Sequence, residues 1–72
     1  MSQASIYECL KKSNEPLAAQ EIASQISSNT KQVCAAIRQM IKYREVGFVE
    51  IDRFEAKIRY NSKRRMKLYF II

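Results

Sequence analysis

The chain contains no histidine and no tryptophan, and it has only one glycine, one proline and two cysteines among its 72 residues. Without histidine, two thiols cannot complete the four nitrogen or sulfur ligands of a structural zinc site. A single glycine also excludes the glycine-rich loops that bind nucleotide phosphates. No nucleophile stands at a recognisable spacing from a base. We therefore expect neither an enzyme nor a bound metal, cofactor or small-molecule ligand.

The two cysteines, Cys9 and Cys34, do not have the C-x-x-C spacing of redox and metal sites. Buried free thiols are the favoured interpretation, and one disulfide is the alternative. No apolar run reaches the ~20 residues that a transmembrane helix needs. The first residues also lack the basic-then-apolar order of a signal peptide. These features predict a soluble cytoplasmic protein that does not contact a membrane.

Positive charge is what the chain has in excess. Thirteen lysine and arginine residues against seven acidic residues give a net charge of +6. Residues 42–72 hold nine of these basic residues and only four acidic ones, whereas residues 1–41 are nearly neutral. Six basic residues without an acid lie between Lys57 and Lys67, more than an edge strand needs to prevent aggregation. The asymmetry favours a nucleic-acid partner over a merely solubilising surface.

Three segments have the apolar periodicity of helices. The first runs from Ser5 to Lys12, because Ser5 and Glu8 have the spacing of a capping box, and a start at Ser2 is the alternative. The second lies in LAAQEIASQI, residues 17–26, after turn residues around the single proline. The third runs from Thr30 to Tyr43, and the polar cluster before it is expected to cap it.

The third helix has two distinct faces. Its apolar residues fall on one side at about 100° per residue; they are Val33, Ala36, Ile37, Met40 and Ile41. A narrow, mostly basic stripe lies on the other side, within about 60°; it consists of Lys31, Ala35, Arg38 and Lys42, flanked by Gln32 and Gln39. Periodicity alone fits an ordinary surface helix as well as a helix that binds a ligand.

Two strands are expected after the third helix, with Gly47 at the helix-to-strand junction. The alternation in FVEID predicts a strand from Phe48 to Asp52, and MKLYFII predicts another from Met66 to Ile72. Residues 53–62 fit either a short helix or an extension of a strand. We expect the three phenylalanines in the core, and Glu50 and Asp52 as partners of basic residues. The prediction is one α+β domain over residues 1–72.

This order of elements resembles the winged helix-turn-helix family of DNA-binding domains from Ser5 to Ile72. The densest likeness is PLAAQEIASQISSNTKQVCAAIRQMIKYREVGFVEI, with E-I-A, a polar turn and then V-x-x-A-I-x-x-M. The chain departs from the family in having Ala18 where a serine or threonine usually caps the second helix, and no glycine in the following turn. The ending KRRMKLYF is similar to small regulators of archaea and archaeal viruses.

The resemblance implies three helices followed by a β-hairpin wing, with a short extra helix between the wing strands as an option. It also implies a sequence-specific transcriptional regulator that binds double-stranded DNA as a homodimer. A major groove about 12 Å wide accepts one helix, here residues 30–43. The expected DNA contacts of this helix are Asn29, Thr30, Lys31, Gln32, Ala35, Arg38 and Lys42. Those of the wing, on the backbone or minor groove, are Lys57, Arg59, Lys63, Arg64 and Arg65.

Individual roles follow from side-chain chemistry. Lys31 and Arg38 suit phosphate or guanine, Asn29 and Gln32 suit adenine, and the small Ala35 allows close approach to the bases. The ending LYFII and a face with Tyr7 and Leu10 are candidate dimer surfaces. Two alternatives remain at this point: a non-sequence-specific architectural protein that binds DNA or RNA, and a winged helix that docks another protein.

Overall fold

Four helices and three strands follow one another along residues 3–72, the part of the chain that the computed structural model describes. The helices are α1 (Gln3–Lys12), α2 (Ala19–Gln25), α3 (Thr30–Lys42) and α4 (Arg53–Tyr60). The strands are β1 (Leu17–Ala18), β2 (Val46–Ile51) and β3 (Met66–Ile71). They form one antiparallel sheet in the order β1-β3-β2. The predicted α+β class is confirmed, with one strand more than expected.

Helix α1 begins earlier than the capping-box spacing indicated. It already includes Gln3, the first described residue, so Ser5 lies inside the helix. Gln3 and Ala4 are good helix formers, and they extend the helix beyond the first buried residue, Ile6. The predicted apolar face is correct, since Cys9 and Leu10 are buried with Ile6. The alternative start at Ser2 lies outside the described residues.

Strand β1 occupies residues that were expected to open the second helix. Leu17 pairs with Tyr69, and Ala18 pairs with Leu68. These two residues fill the edge of β3 that β2 leaves unpaired, and this tertiary pairing overrides the helical pattern. Helix α2 then starts at Ala19, and its cap residue has no side-chain acceptor. The carboxylate of Glu21 compensates in part, because its Oε1 accepts a hydrogen bond from the Ala18 N–H at 3.0 Å.

Local hydrogen bonds define both ends of α3. At its start, Asn29 Oδ1 accepts from the Gln32 N–H at 2.8 Å, as the polar cluster predicted. At its end, Arg44 adopts a left-handed φ of 61°, and the Glu45 N–H donates to the Met40 carbonyl at 2.9 Å. This is a Schellman motif with arginine where glycine is usual. The helix therefore terminates without using the single glycine.

Gly47 lies within β2, so its predicted place at the junction is wrong. A Cβ at this position would lie 2.9 Å from Cζ of Phe70 and 3.3 Å from Cγ1 of Ile72. Glycine therefore leaves room for the Phe70 ring, which would have to shift if a Cβ were present, and the backbone conformation of Gly47 requires nothing special. The strand itself ends at Ile51, one residue before its predicted end, because Asp52 caps the next helix.

The main core lies between α1, α2, α3 and one face of the sheet. Its buried members are Ile6, Cys9, Leu10, Leu17, Ile22, Ala23, Val33, Ile37, Met40 and Val46. The predicted core positions Phe48 and Phe54 are wrong, since their side chains are 44% and 72% exposed. Phe48 lies in the middle of β2, beyond its buried first residue Val46, and Phe54 lies on the outer side of α4.

Helix α4 settles the alternatives for residues 53–62 in favour of a short helix. Asp52 Oδ1 accepts from the Glu55 N–H at 2.8 Å at its start, and Asn61 ends it with a φ of 54°. Its one buried residue is Ala56. Leu68 is also buried outside the main core cluster, on the sheet face opposite Tyr69. Since α1–α3 cover the other face, we infer that α4 covers this one.

A hydrogen bond between side chains fastens α4 to α2. The Tyr60 hydroxyl donates to Glu21 Oε1 at 2.7 Å, the same oxygen that accepts from Ala18. Arg59 adds exposed ion pairs with Glu55 at 3.3 Å and Glu15 at 3.9 Å. Burial, together with the hydrogen bond to the Glu21 carboxylate, raises the pKa of Tyr60 to about 12.

In the described part of the chain, none of the helices is both long enough and apolar enough to cross a membrane.

One buried isoleucine of α3 and the exposed isoleucine of α4 provide a matched test of this core. Ile37 is 1% exposed and Ile58 is 85% exposed. We expect Ile37→Val to lower the free energy of unfolding by about 0.5–1.5 kcal/mol because it leaves a small cavity. Ile58→Val should change it by less than about 0.5 kcal/mol. Denaturant unfolding measures the free energy of unfolding of both variants. Equal decreases in the two variants would contradict the orientation of the two helices.

The raised pKa of Tyr60 predicts a stability change at alkaline pH. Between the ordinary pKa of about 10 and the folded value of about 12, the folded state keeps a proton that the unfolded chain has lost. The stabilisation is therefore complete below about pH 10 and is lost as the pH rises toward 12. Unfolding free energies of the native protein should fall more steeply in this range than those of Tyr60→Phe. Parallel curves would show that Tyr60 is not held by Glu21.

Candidate nucleic-acid interface

The outward face of α3 carries the basic stripe that the periodicity predicted. Lys31, Ala35, Arg38 and Lys42 are all exposed. The opposite face is packed into the core through Val33, Ile37 and Met40. The helix contains no acidic residue, and its three basic side chains form no ion pair within residues 3–72. This face therefore presents positive charge that nothing in the described structure neutralises.

The turn before α3 uses two of the predicted contact residues to build the helix start. Asn29 Oδ1 accepts from the Gln32 N–H, and Gln32 Oε1 accepts from the Ser28 hydroxyl at 3.0 Å. Ser27 makes the reversal with a φ of 55°, in place of the glycine that the turn lacks. Thr30 is exposed at the first position of the helix. Asn29 and Gln32 thus set the direction of α3, and their amide groups lie at its exposed end.

The sheet continues this basic face beyond the helix. Tyr69 of β3 lies close to α3: burial raises the pKa of Tyr69, Cys34 adds to the increase, and Arg38 opposes it. The Tyr69 ring contacts Phe48 of β2, with 6.5 Å between ring centroids. Lys67 Nζ lies 4.9 Å from the centroid of the Phe48 ring. Tyr69, Phe48 and Lys67 therefore adjoin one another on the sheet, and Arg38 lies near enough to influence the pKa of Tyr69. These four residues and the basic stripe of α3 are called here the α3–sheet surface.

Sequence reasoning did not assign Phe48, Tyr69 or Lys67 to the site. The available signal was the alternation in MKLYFII, which places Lys67 and Tyr69 on one face of their strand. The residue that faces Tyr69 depends on the register, in which Phe48 pairs with Tyr69 and Glu50 with Lys67. That register could not be derived, because the long segment between the two strands has no fixed turn type.

Arg65 and Glu50 form an ion pair at the end of the α3–sheet surface. Arg65 Nη1 lies 3.5 Å from Glu50 Oε1, and the side chains are 73% and 46% exposed. The predicted role of Glu50 as a partner of a basic residue is confirmed, whereas Asp52 caps a helix instead. Exposed pairs of this kind contribute little to stability. Arg65 can therefore leave Glu50 for another anion at small cost.

The five basic residues expected in the wing are not gathered on one loop. Lys57 and Arg59 lie on α4, and Lys63, Arg64 and Arg65 lie in the segment that leads into β3. Arg59 forms exposed ion pairs with Glu55 and Glu15 and lies 5.6 Å from the centroid of the Tyr60 ring, so its guanidinium already has partners on and beside α4. The two long strands are thus paired as a wing would be, but α4 replaces a simple turn between them.

The predicted dimer surfaces are partly wrong. Leu10 is 4% exposed and Leu68 is 2% exposed, so neither side chain can contact a second subunit. Leu10 belongs to the core cluster, and Leu68 lies on the central strand of the sheet. Tyr7 and Ile72, at 38% and 73%, remain exposed members of these two surfaces.

Comparisons of the chain with models of known protein families, with curated proteins and with solved structures give no match. The function is therefore inferred from the chemistry of the surfaces.

The two cysteines should differ in reactivity. Both are free; Cys9 is buried and its Sγ donates to Gln25 Oε1 at 3.2 Å, whereas Cys34 is half-buried beside the stripe of α3. Burial, with the negative charge of Glu21, raises the pKa of the Cys9 thiol, and the thiolate is the reactive form. We expect Cys9→Ser, which keeps Cys34, to react with iodoacetamide at least about tenfold faster than Cys34→Ser. Similar rates in the two variants would contradict the burial of Cys9.

Proposed function

We propose that this domain is a winged helix-turn-helix protein that binds double-stranded DNA sequence-specifically and regulates transcription. The observation that carries the proposal is the exposed, acid-free face of α3, on which Lys31, Arg38 and Lys42 surround Ala35. A helix of this kind fits a major groove, because its apolar face is anchored and its polar face is free to meet bases and phosphates. The order of three helices followed by two paired strands is compatible with the proposal.

Base recognition is assigned to the middle of α3. Arg38 has the planar guanidinium that can donate two hydrogen bonds to guanine, which is the commonest specific contact in the major groove. Ala35 lies one turn before it and is small, so the helix can approach the bases or touch a thymine methyl. Lys31 and Lys42, near the two ends of the exposed stripe, are placed to contact phosphates on either side of the groove.

The sheet supplies affinity that does not depend on sequence. Lys67 lies over Phe48, and Arg64 and Arg65 directly precede β3. Contacts from these side chains to the DNA backbone release counterions and orient the protein without reading bases. Lys57 and Arg59 are not needed for this role, since they belong to α4.

A second subunit is part of the proposal. One recognition helix reads only a short half-site, and dimers reach useful affinity by reading two half-sites about one helical turn apart. Tyr7 on α1 and Ile72 after β3 are the exposed apolar residues proposed for the subunit contact. The expected operator is accordingly a palindrome.

Selection from random duplex DNA, followed by two variants, tests the proposal. Arg38→Ala should cost about 1–3 kcal/mol on the selected sequence and relax the preference at one base position. Arg64→Ala should weaken binding to all duplexes alike and reduce the salt slope by about one. Lys11→Ala, an exposed change on α1, is the control and should leave binding unchanged. Mobility shifts at several salt concentrations provide the measurement.

Two results would redirect the proposal. Equal losses on selected and random DNA from both arginine variants would indicate an architectural protein that does not read sequence. Absence of any mobility shift at low salt would exclude DNA as the partner and leave α3 as a protein-docking helix.

A further inference from the structure

The outer face of α4 exposes two large apolar side chains. Phe54 is 72% exposed and Ile58 is 85% exposed. They lie four residues apart and are therefore neighbours on the helix surface. Helical geometry places them directly opposite Ala56, the buried residue of α4. Single exposed apolar residues are ordinary, but an adjacent pair turned fully outward on a short helix indicates a contact surface.

Basic side chains border this apolar pair. Arg53, Phe54, Lys57, Ser62 and Lys63 line a cavity of about 290 Å³ between α4 and the segment that follows it. The Arg53 guanidinium lies 5.9 Å from the Phe54 ring centroid. None of these five residues is acidic, and the nearest carboxylate on the helix, Glu55, is paired with Arg59. The cavity thus has an aromatic wall and three cationic groups.

We propose that α4 and residues 61–63 form a docking site for an acidic segment of another protein that carries apolar anchor residues. The anchors would cover Phe54 and Ile58, and carboxylates would meet Arg53, Lys57 and Lys63. An amphipathic helix laid on a partner surface uses this combination, with apolar side chains for affinity and charges for orientation.

A second copy of this chain fits the surface poorly. An antiparallel pair of α4 helices would set the Arg53 and Lys57 edge of each copy against the same edge of the other, where like charges repel. Two helices of eight residues also bury far less than the roughly 1,200 Å² of a stable interface. An acidic segment that continues past α4 avoids both problems.

Nucleic acid and lipid are also disfavoured as occupants. A phosphate backbone would satisfy the cations but leave Phe54 and Ile58 in water, because phosphate contacts are polar. A membrane surface would cover the two apolar residues, but a planar surface cannot enter the concave cavity beside them. The protein segment is the occupant that uses both parts of the site.

The docking site is separate from the α3–sheet surface. Phe48, Lys67 and Tyr69 lie on the sheet face that packs against the first three helices, whereas the inferred place of α4 is over Leu68 on the opposite face. A partner on α4 and DNA on α3 can therefore bind at the same time, and neither proposal depends on the other.

A titration with a synthetic peptide tests the docking site. The probe is a helix of about 18 residues, five turns, with leucine along one face and glutamate elsewhere; its counterpart has lysine in place of glutamate. Amide chemical shifts of the isotope-labelled protein report where each peptide binds. We expect the acidic peptide to shift residues 53–63 and to leave α3 unchanged, and the basic peptide to have no effect.

Substitutions test whether the acidic peptide binds through the proposed residues. Phe54→Ser combined with Ile58→Ser should weaken peptide binding about tenfold, as loss of central anchors does. Lys57→Glu should also weaken it about tenfold, whereas Lys11→Glu, with the same change in net charge, should alter it less than about twofold. Because Phe54 and Ile58 are exposed, the double variant should keep the native spectrum and its DNA affinity.

Several outcomes would overturn the docking site. Shifts concentrated on α3 would show a general attraction for anions, and absence of binding would remove the site altogether. Binding that survives both the serine and the glutamate variants would place the peptide elsewhere. Phe54-dependent binding to phosphatidylserine vesicles but not to the peptide would assign the surface to a membrane. A Phe54-dependent dimer in sedimentation equilibrium would assign it to a second copy.

Discussion

The central position of β3 is the constraint on which both candidate surfaces depend. This strand comes last in the described chain, yet it pairs with β1 on one side and β2 on the other. Its alternation sends Tyr69 and Lys67 to the face shared with α3, and Leu68 to the face that α4 covers. A shift of one residue would exchange these sets and bury Lys67. The pairing therefore determines which side chains continue the basic face of α3 and where α4 can pack.

Features set by neighbouring residues were predictable from the sequence. The two faces of α3 follow from helical period, and the cap by Asn29 follows from a side chain bonding to a backbone group three residues away. Features set by distant residues were not. Strand β1 forms because β3 has an unpaired edge. Phe48 contacts Tyr69 and Lys67 because of the register of β2 and β3, which the sequence of the connecting segment does not reveal. The α+β class and the stripe of α3 could thus be predicted. The part of the α3–sheet surface that the sheet contributes could not.

Phe54 shows a second limit of periodicity. The spacing of Phe54 and Ile58 correctly indicates that they share one face of a helix, but it does not say which way that face points. In the structure the small Ala56 turns toward the sheet, since Tyr60 and Arg59 on the same helix are held by Glu21 and Glu15. The Tyr60–Glu21 tether favours this rotation of α4, and the exposed Arg59–Glu15 pair adds little to it. The larger apolar residues remain in solvent. Sequence hydrophobicity would place Phe54 inside because it takes no account of the tethers.

The distribution of carboxylates supports the proposal of two separate anion-binding surfaces. Of the four acidic residues in the basic half of the chain, Glu50 pairs with Arg65, Glu55 pairs with Arg59, and Asp52 caps α4, while Glu45 follows the end of α3. None of these acids lies on α3 itself, and none lines the cavity of α4. If the excess charge served solubility alone, acids and bases would be interspersed over the surface. Two groups of cations without an ion pair among the described residues lie on the stripe of α3 and around the cavity of α4, and Lys11, Lys12 and Arg44 are further ones. Duplex DNA suits the first because phosphates and base edges are polar, and an acidic protein segment suits the second because it can cover Phe54 and Ile58 as well.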